Sequence, residues 1–138
     1  MVSHYKKLIL QAMGNYFGQD AKRIGHACKV LQYAEEILAK GSGDEEVVAA
    51  AAILHDIGIH EAERKYNSNA GEYQEIEGPP IANRILKKLD FPREKIDEVL
   101  EIIAHHHRPG IVKTQNFEII FKADCRVNRE EKRRKKHD

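Results

Sequence analysis

Apolar positions recur along this chain at helical spacing and almost never in the alternation of a strand. A first helix is predicted over His4–Met13, stopping near Gly14 and Gly18. Asp20 suits the cap of a second, whose apolar positions Ile24, Ala27, Cys28, Leu31, Ala34, Ile37 and Leu38 share a face. Gly41-Ser42-Gly43 ends it, and Asp44 caps a third with Glu45 and Glu46 in its first turn. An almost unbroken apolar run follows, Val47 to Leu54, and a helix apolar on every side belongs inside a core. From His60 to Glu77 the pattern dissolves into polar, small and acidic residues, which predicts a long loop with one short helical turn. Pro79-Pro80 suits the start of a fourth helix, Ile81–Leu89. Pro92 opens a fifth that runs through Ile96, Val99, Leu100, Ile102 and Ile103 to three histidines, and a sixth begins near Asn116. The predicted fold class is all-α, a compact single-domain bundle of about five to seven helices.

A chain of 138 residues is one domain, long enough to bury roughly two thirds of its unfolded surface. Its longest apolar run is too short to span a bilayer, and Met1–Gln11 lacks the apolar stretch of a signal peptide, so a cytoplasmic location without a membrane partner is expected. Two cysteines, Cys28 and Cys125, fit reduced thiols, each expected to be a small buried packing residue. The net charge of +1 is unevenly spread: Arg126 to Asp138 holds seven Lys/Arg against three acids. We therefore expect a domain over residues 1–128 and a basic tail over 129–138, the tail being a solvated extension of the last helix. No aromatic residue interleaves with the tail's cations, which argues against a nucleic-acid partner.

The apolar third helix ends in His55-Asp56-Ile57-Gly58 and so carries an imidazole and a carboxylate into the interior. Burying such groups is costly unless they are paired, and a metal ion satisfies both. His26 stands on an earlier helix, His105-His106-His107 on a later one, and Asp124 on the last. A lone histidine on an apolar face is more often a satisfied core residue; the conjunction of His26, His55, Asp56 and Asp124 turns the reading to metal ligation. The set joins imidazole nitrogen to carboxylate oxygen without thiolate, which suits a divalent Mn, Co, Ni, Zn, Mg or Fe ion. An ion of this kind lowers the pKa of its water from about 15.7 toward about 7, which gives hydrolysis without a side-chain nucleophile. Arg23, one helical turn before His26, is a candidate phosphate clamp, with Lys22 and Arg108 beside it. His107 is read as solvent-facing or as a support behind the ligands, His4, His60 and His137 as surface residues, and Glu61, Glu63, Glu72 and Glu75 as solvated loop carboxylates.

A histidine, then His-Asp, then a distant aspartate, matched by His26, His55-Asp56 and Asp124, resembles the HD-domain superfamily of metal-dependent phosphohydrolases. The continuation Ile57-Gly58 and the segment Lys22-Arg23-Ile24-Gly25-His26 are similar to its members, and the resemblance covers roughly Asp20 to Asn128. It implies one four-ligand metal site. Members with two metals add ligands where Glu77 and His106, with His105 beside it, stand here; Glu77 replaces the usual histidine, and Asp56 would bridge the ions. The implied activity is cleavage of a small phosphate ester, a nucleotide above all, by metal-activated water, with Asp56, Arg23 and His106 as catalytic residues. Two alternatives stand beside it: a di-iron oxygenase on the same scaffold, and a non-catalytic regulatory module that binds metal or nucleotide. The cyclic-di-GMP branch is disfavoured, because His107-Arg108-Pro109-Gly110 is not followed by Gly-Tyr-Pro. The segment from His60 to Glu77 is expected to set substrate choice, and exposed helical faces are compatible with a homodimer.

Overall fold

The computed structural model describes residues 2–137, with side chains described from 4 to 135. Those residues form seven α-helices and no strand: α1 Val2–Phe17, α2 Ala21–Ala39, α3 Glu45–Leu54, α4 Ile59–Tyr66, α5 Gly71–Lys88, α6 Arg93–His105 and α7 Gln115–His137. Among them no helix is long and apolar enough to cross a membrane.

The apolar run places α3 at the centre. Every residue from Val47 to Leu54 is buried, and the helix packs against α1, α2, α6 and α7. A helix with no polar face has no solvent side to offer, so its neighbours must enclose it. Its start is fixed by Asp44, whose side chain accepts hydrogen bonds from Glu46 N and Val47 N, while Lys95 on α6 braces Asp44 and Glu46 at 3.0 and 2.6 Å. Asp20 caps α2 in the same way, accepting from Arg23 N. Two further pairings complete the bundle, α2 with α7 and α5 with α6.

Four expectations change. The predicted loop from His60 to Glu77 is α4 followed by the first two turns of α5. Ile59 and Ala62 face inward on α4, Glu61 and Arg64-Lys65 match the polarity of its two ends, and Asn67 closes it in the left-handed region at φ 52°. Pro79-Pro80 sits inside α5 instead of opening it. Two missing N–H groups free only the carbonyls of Glu75 and Ile76, and Ile76 and Pro80 lie on the solvent side. Cys28 is exposed, since it falls outside the buried stripe Ala27, Val30, Leu31 and Ala34 of α2, and Cys125 is half-buried. The tail over 129–138 continues α7 as an extension of that helix, but it is not wholly solvated: Glu130 meets α2, accepting from the Tyr33 hydroxyl at 2.7 Å. His4 is exposed, and His137 lies outside the residues whose side chains are described.

Candidate metal centre

His55 is the C-cap residue of α3 and fully buried, and Asp56 begins the turn that leads into α4. α2 brings His26 to the same point and α7 brings Asp124. The Nε2 atoms of His26 and His55 are 3.2 Å apart. Asp124 Oδ1 lies 3.1 Å from the first and 3.3 Å from the second. Asp56 Oδ2 lies 3.4 Å from both. The other oxygen of Asp56, Oδ1, is 3.2 Å from Nε2 of His106, which is also buried. Asp56 therefore divides its carboxylate between two clusters, one with His26, His55 and Asp124, the other with His106 and His107.

Hydrogen bonding on the far edge of each ring decides what these nitrogens can do. His55 Nδ1 lies 2.7 Å from the carbonyl of Ala52, and His106 Nδ1 lies 2.7 Å from that of Ile103. A carbonyl only accepts, so each Nδ1 carries the proton and donates it. His26 Nδ1 meets the Glu131 carboxylate at 2.9 Å, with the same consequence. In the neutral rings all three Nε2 atoms are thus bare lone pairs, turned toward two carboxylates. Such a convergence of acceptors has no internal donor, and it holds together only around a cation. The donor types and their 3.1–3.4 Å separations fit a divalent ion bound at about 2 Å from nitrogen and oxygen. Protons serve the same need by another route. Burial pulls the His55 pKa down, but the charges and hydrogen bonds of Asp56 and Asp124 outweigh it and lift it well above the imidazole norm. Burial alone would raise Asp56 and Asp124; His55 opposite them, with hydrogen bonds from His106 and His26, holds both well below the usual carboxylate range.

Other residues singled out from the sequence are placed elsewhere. Glu77 turns to α4, accepting from Lys65 Nζ at 3.0 Å and the Tyr66 hydroxyl at 2.8 Å, and does not join either cluster. His105 directs Nδ1 to the Glu101 carbonyl on its own helix, and the exposed His107, read as solvent-facing, is the histidine grouped with Asp56 and His106. Arg23 reaches Asp20 and Glu63 at 3.5 and 3.3 Å, and His60 also bonds Asp20, at 2.7 Å. Arg108 pairs with Glu75 at 2.8 Å. Lys22 is exposed beside the first turn of α2.

Two positioning residues escape a reading of the sequence. Glu75 is buried on α5, where it accepts the His107 backbone N–H at 2.9 Å as well as Arg108, fixing the turn after the histidine run. Glu131 orients His26; its one signal is the spacing of seven residues from Asp124, which puts both on one face of α7. Glu131→Ala is expected to weaken metal binding about 10–100-fold, the usual effect of removing the group that orients a histidine ligand. A chelator competition assay checks this, with unchanged affinity showing that Glu131 has no such role.

A family model described as HD domain matches residues 23–135. No curated protein and no solved structure matches significantly.

Proposed function

This chain belongs to the HD-domain family, and from that premise we propose that it is a metal-dependent phosphohydrolase acting on a nucleotide or other small phosphate ester. The observation that carries the reading is the convergence of bare imidazole nitrogens with Asp56 and Asp124, a donor set that fits a divalent ion. His26, His55, Asp56 and Asp124 would hold that ion, and Asp56, His106 and His107 offer a second position. A divalent ion there supplies Lewis acidity toward a phosphoryl oxygen and a water acidic enough to lose its proton near neutral pH.

The protein's own groups supply orientation. Ala52, Ile103 and Glu131 keep the three rings from rotating and keep their Nε2 atoms unprotonated when neutral. His107 sits at the exposed edge, its ring centroid 3.9 Å from that of His106 and its Nε2 3.4 Å from Gln74 Oε1, within reach of a group entering from solvent. Arg23 and Arg108 are tethered to carboxylates, so each would turn to a phosphate only by exchanging Glu63 or Glu75 for it. A nucleotide is favoured as substrate by the family membership, and a cytoplasmic location by the absence of a membrane-crossing helix among the described residues.

The test is release of inorganic phosphate or nucleoside from a broad panel of nucleotides and small phosphate esters. Protein loaded separately with Mn, Co, Ni, Zn, Mg and Fe is expected to turn over at least one of them, and a chelator to stop it. A metal-loaded protein that releases nothing from the panel sinks the proposal.

A further inference from the structure

Behind His26, on the side of its ring that meets Glu131, lies a groove of about 600 Å³ between α2 and the second half of α7. Five cations line it: Lys22 and Lys29 from α2, and Lys132, Arg134 and Lys135 from α7. None of them has an ion-pair partner among the described residues. The groove also contains two carboxylates, and both are engaged, Glu130 by the Tyr33 hydroxyl and Glu131 by His26. Gly25 leaves the wall open between the two lysines of α2, where an added Cβ would meet nothing within 4 Å. Glu130 and Glu131 offset part of this charge, Glu130 lying within the field of Lys29 and Arg134, but five cations against two acids leave a positive excess whose members repel one another unless an anion joins them.

We infer that this groove binds an oligophosphate, a chain of two or more linked phosphates either free or carried by a nucleoside, at a site separate from the metal centre. Lys22 and Lys29 stand two helical turns apart, roughly 10 Å along the axis. With three further cations facing them from α7, the positive charge is spread over more length and more groups than one phosphate neutralises, whereas a chain of phosphates meets these cations in succession. Aromatic side chains are absent from the lining, so the recognition is of charge and not of stacked bases. Glu131 belongs to the groove wall and to His26 at once, which makes it the residue through which an occupied groove would be felt at the metal centre.

The experiment is a titration of the metal-loaded, isotope-labelled full chain with inorganic tripolyphosphate and, in parallel, with ATP, followed by amide chemical shifts. Saturable shifts are expected at residues 22–29 and 127–135, weakening about tenfold as salt rises from about 50 to about 200 mM. The double variant Lys29→Glu/Lys132→Glu, and separately Arg134→Glu, are expected to weaken binding about tenfold or more, while Lys113→Glu, which changes the net charge as Arg134→Glu does but outside the groove, leaves it within about twofold. Equal affinity for the two ligands assigns the phosphate chain as sufficient; tighter ATP assigns a nucleotide. The inference is overturned if the wild type shows no saturable shift, if shifts centre on His55 and His106, or if the groove variants bind as the wild type does. These readouts do not depend on catalysis, so the groove and the proposed hydrolase activity fail or stand separately.

Discussion

Asp56→Ala is expected to lose metal from both clusters and to lower phosphate release by about 10³-fold or more, a cost set by the site acting as one unit. Its carboxylate meets nitrogens of both halves: Oδ2 faces His26 and His55 while Oδ1 faces His106. His106→Ala removes only the second contact, so an ion at the His26–His55–Asp124 cluster is expected to survive it. Elemental analysis of the two variants beside the wild type checks the contrast, with phosphate release measured on the same samples. Full metal content in Asp56→Ala would place the ion elsewhere. The fold is also expected to weaken without Asp56, by about 3 kcal/mol, because breaking a buried charged pair strands its partner. Here the weakened partner is His55, which has no exposed surface, would keep only Asp124 at 3.3 Å, and would lose the Asp56 charge that does most to raise its pKa against the pull of burial.

How much of this was legible in advance depends on the range of each cause. The apolar run of α3 announces burial on its own, because a helix lacking a polar face has one physical solution. His26, His55, Asp56 and Asp124 were legible for a related reason: ionisable groups carried on core-facing helices need partners, and they are one another's partners. Asp20 and Asp44 were legible because caps act within three residues. The segment from His60 to Glu77 was not. Its local pattern is too polar for a confident helix, and what makes α4 and the start of α5 helical is contact with distant groups: Glu77 with Lys65 and Tyr66, Glu75 with His107 and Arg108. Glu131 was hidden for the opposite reason. Seven cations surround it in the chain between Arg126 and Lys136, so charge counting absorbs it into a solvated tail, while the helix turns it alone onto His26. The histidine run shows the limit of spacing arguments. Three adjacent rings point three ways, and only the break in α6 after His105 decides that His106 and His107 face Asp56 together.

Gly58 carries the second large effect. A glycine that follows a helix as closely as Gly58 follows α3 commonly serves as its C-terminal residue, in the left-handed region. Its φ is −83°, which any residue adopts, so backbone freedom is not what keeps the position small. Contact is. A Cβ at Gly58 would stand 2.5 Å from Gly78 N and 2.8 Å from both Gly78 Cα and Gln74 O, all main-chain atoms of α5. No rotamer relieves a clash with backbone, and Gly78 is itself closely packed, with Ile103 Cγ2 of α6 2.9 Å from where its own Cβ would be. Gly58→Ala must therefore push α5 away from the turn that presents Asp56, at a cost of about 3 kcal/mol, the upper end for overpacking a tight interior. For a chain of this size that is a fall in melting temperature of roughly 10 °C. Gly14→Ala is the matched control. It lies in α1 with nothing within 4 Å of an added Cβ, and it is expected to raise stability by about 0.5–1 kcal/mol through helix propensity alone. Thermal unfolding of both variants distinguishes the explanations: equal behaviour would mean that the α4–α5 crossing yields, while opposite signs make Gly58 the residue that sets how closely α5 approaches the metal-binding turn. The displaced α5 also carries Glu75 and Gln74, which hold His107, so the same variant is expected to lose metal at the Asp56–His106–His107 cluster before the one built on His26.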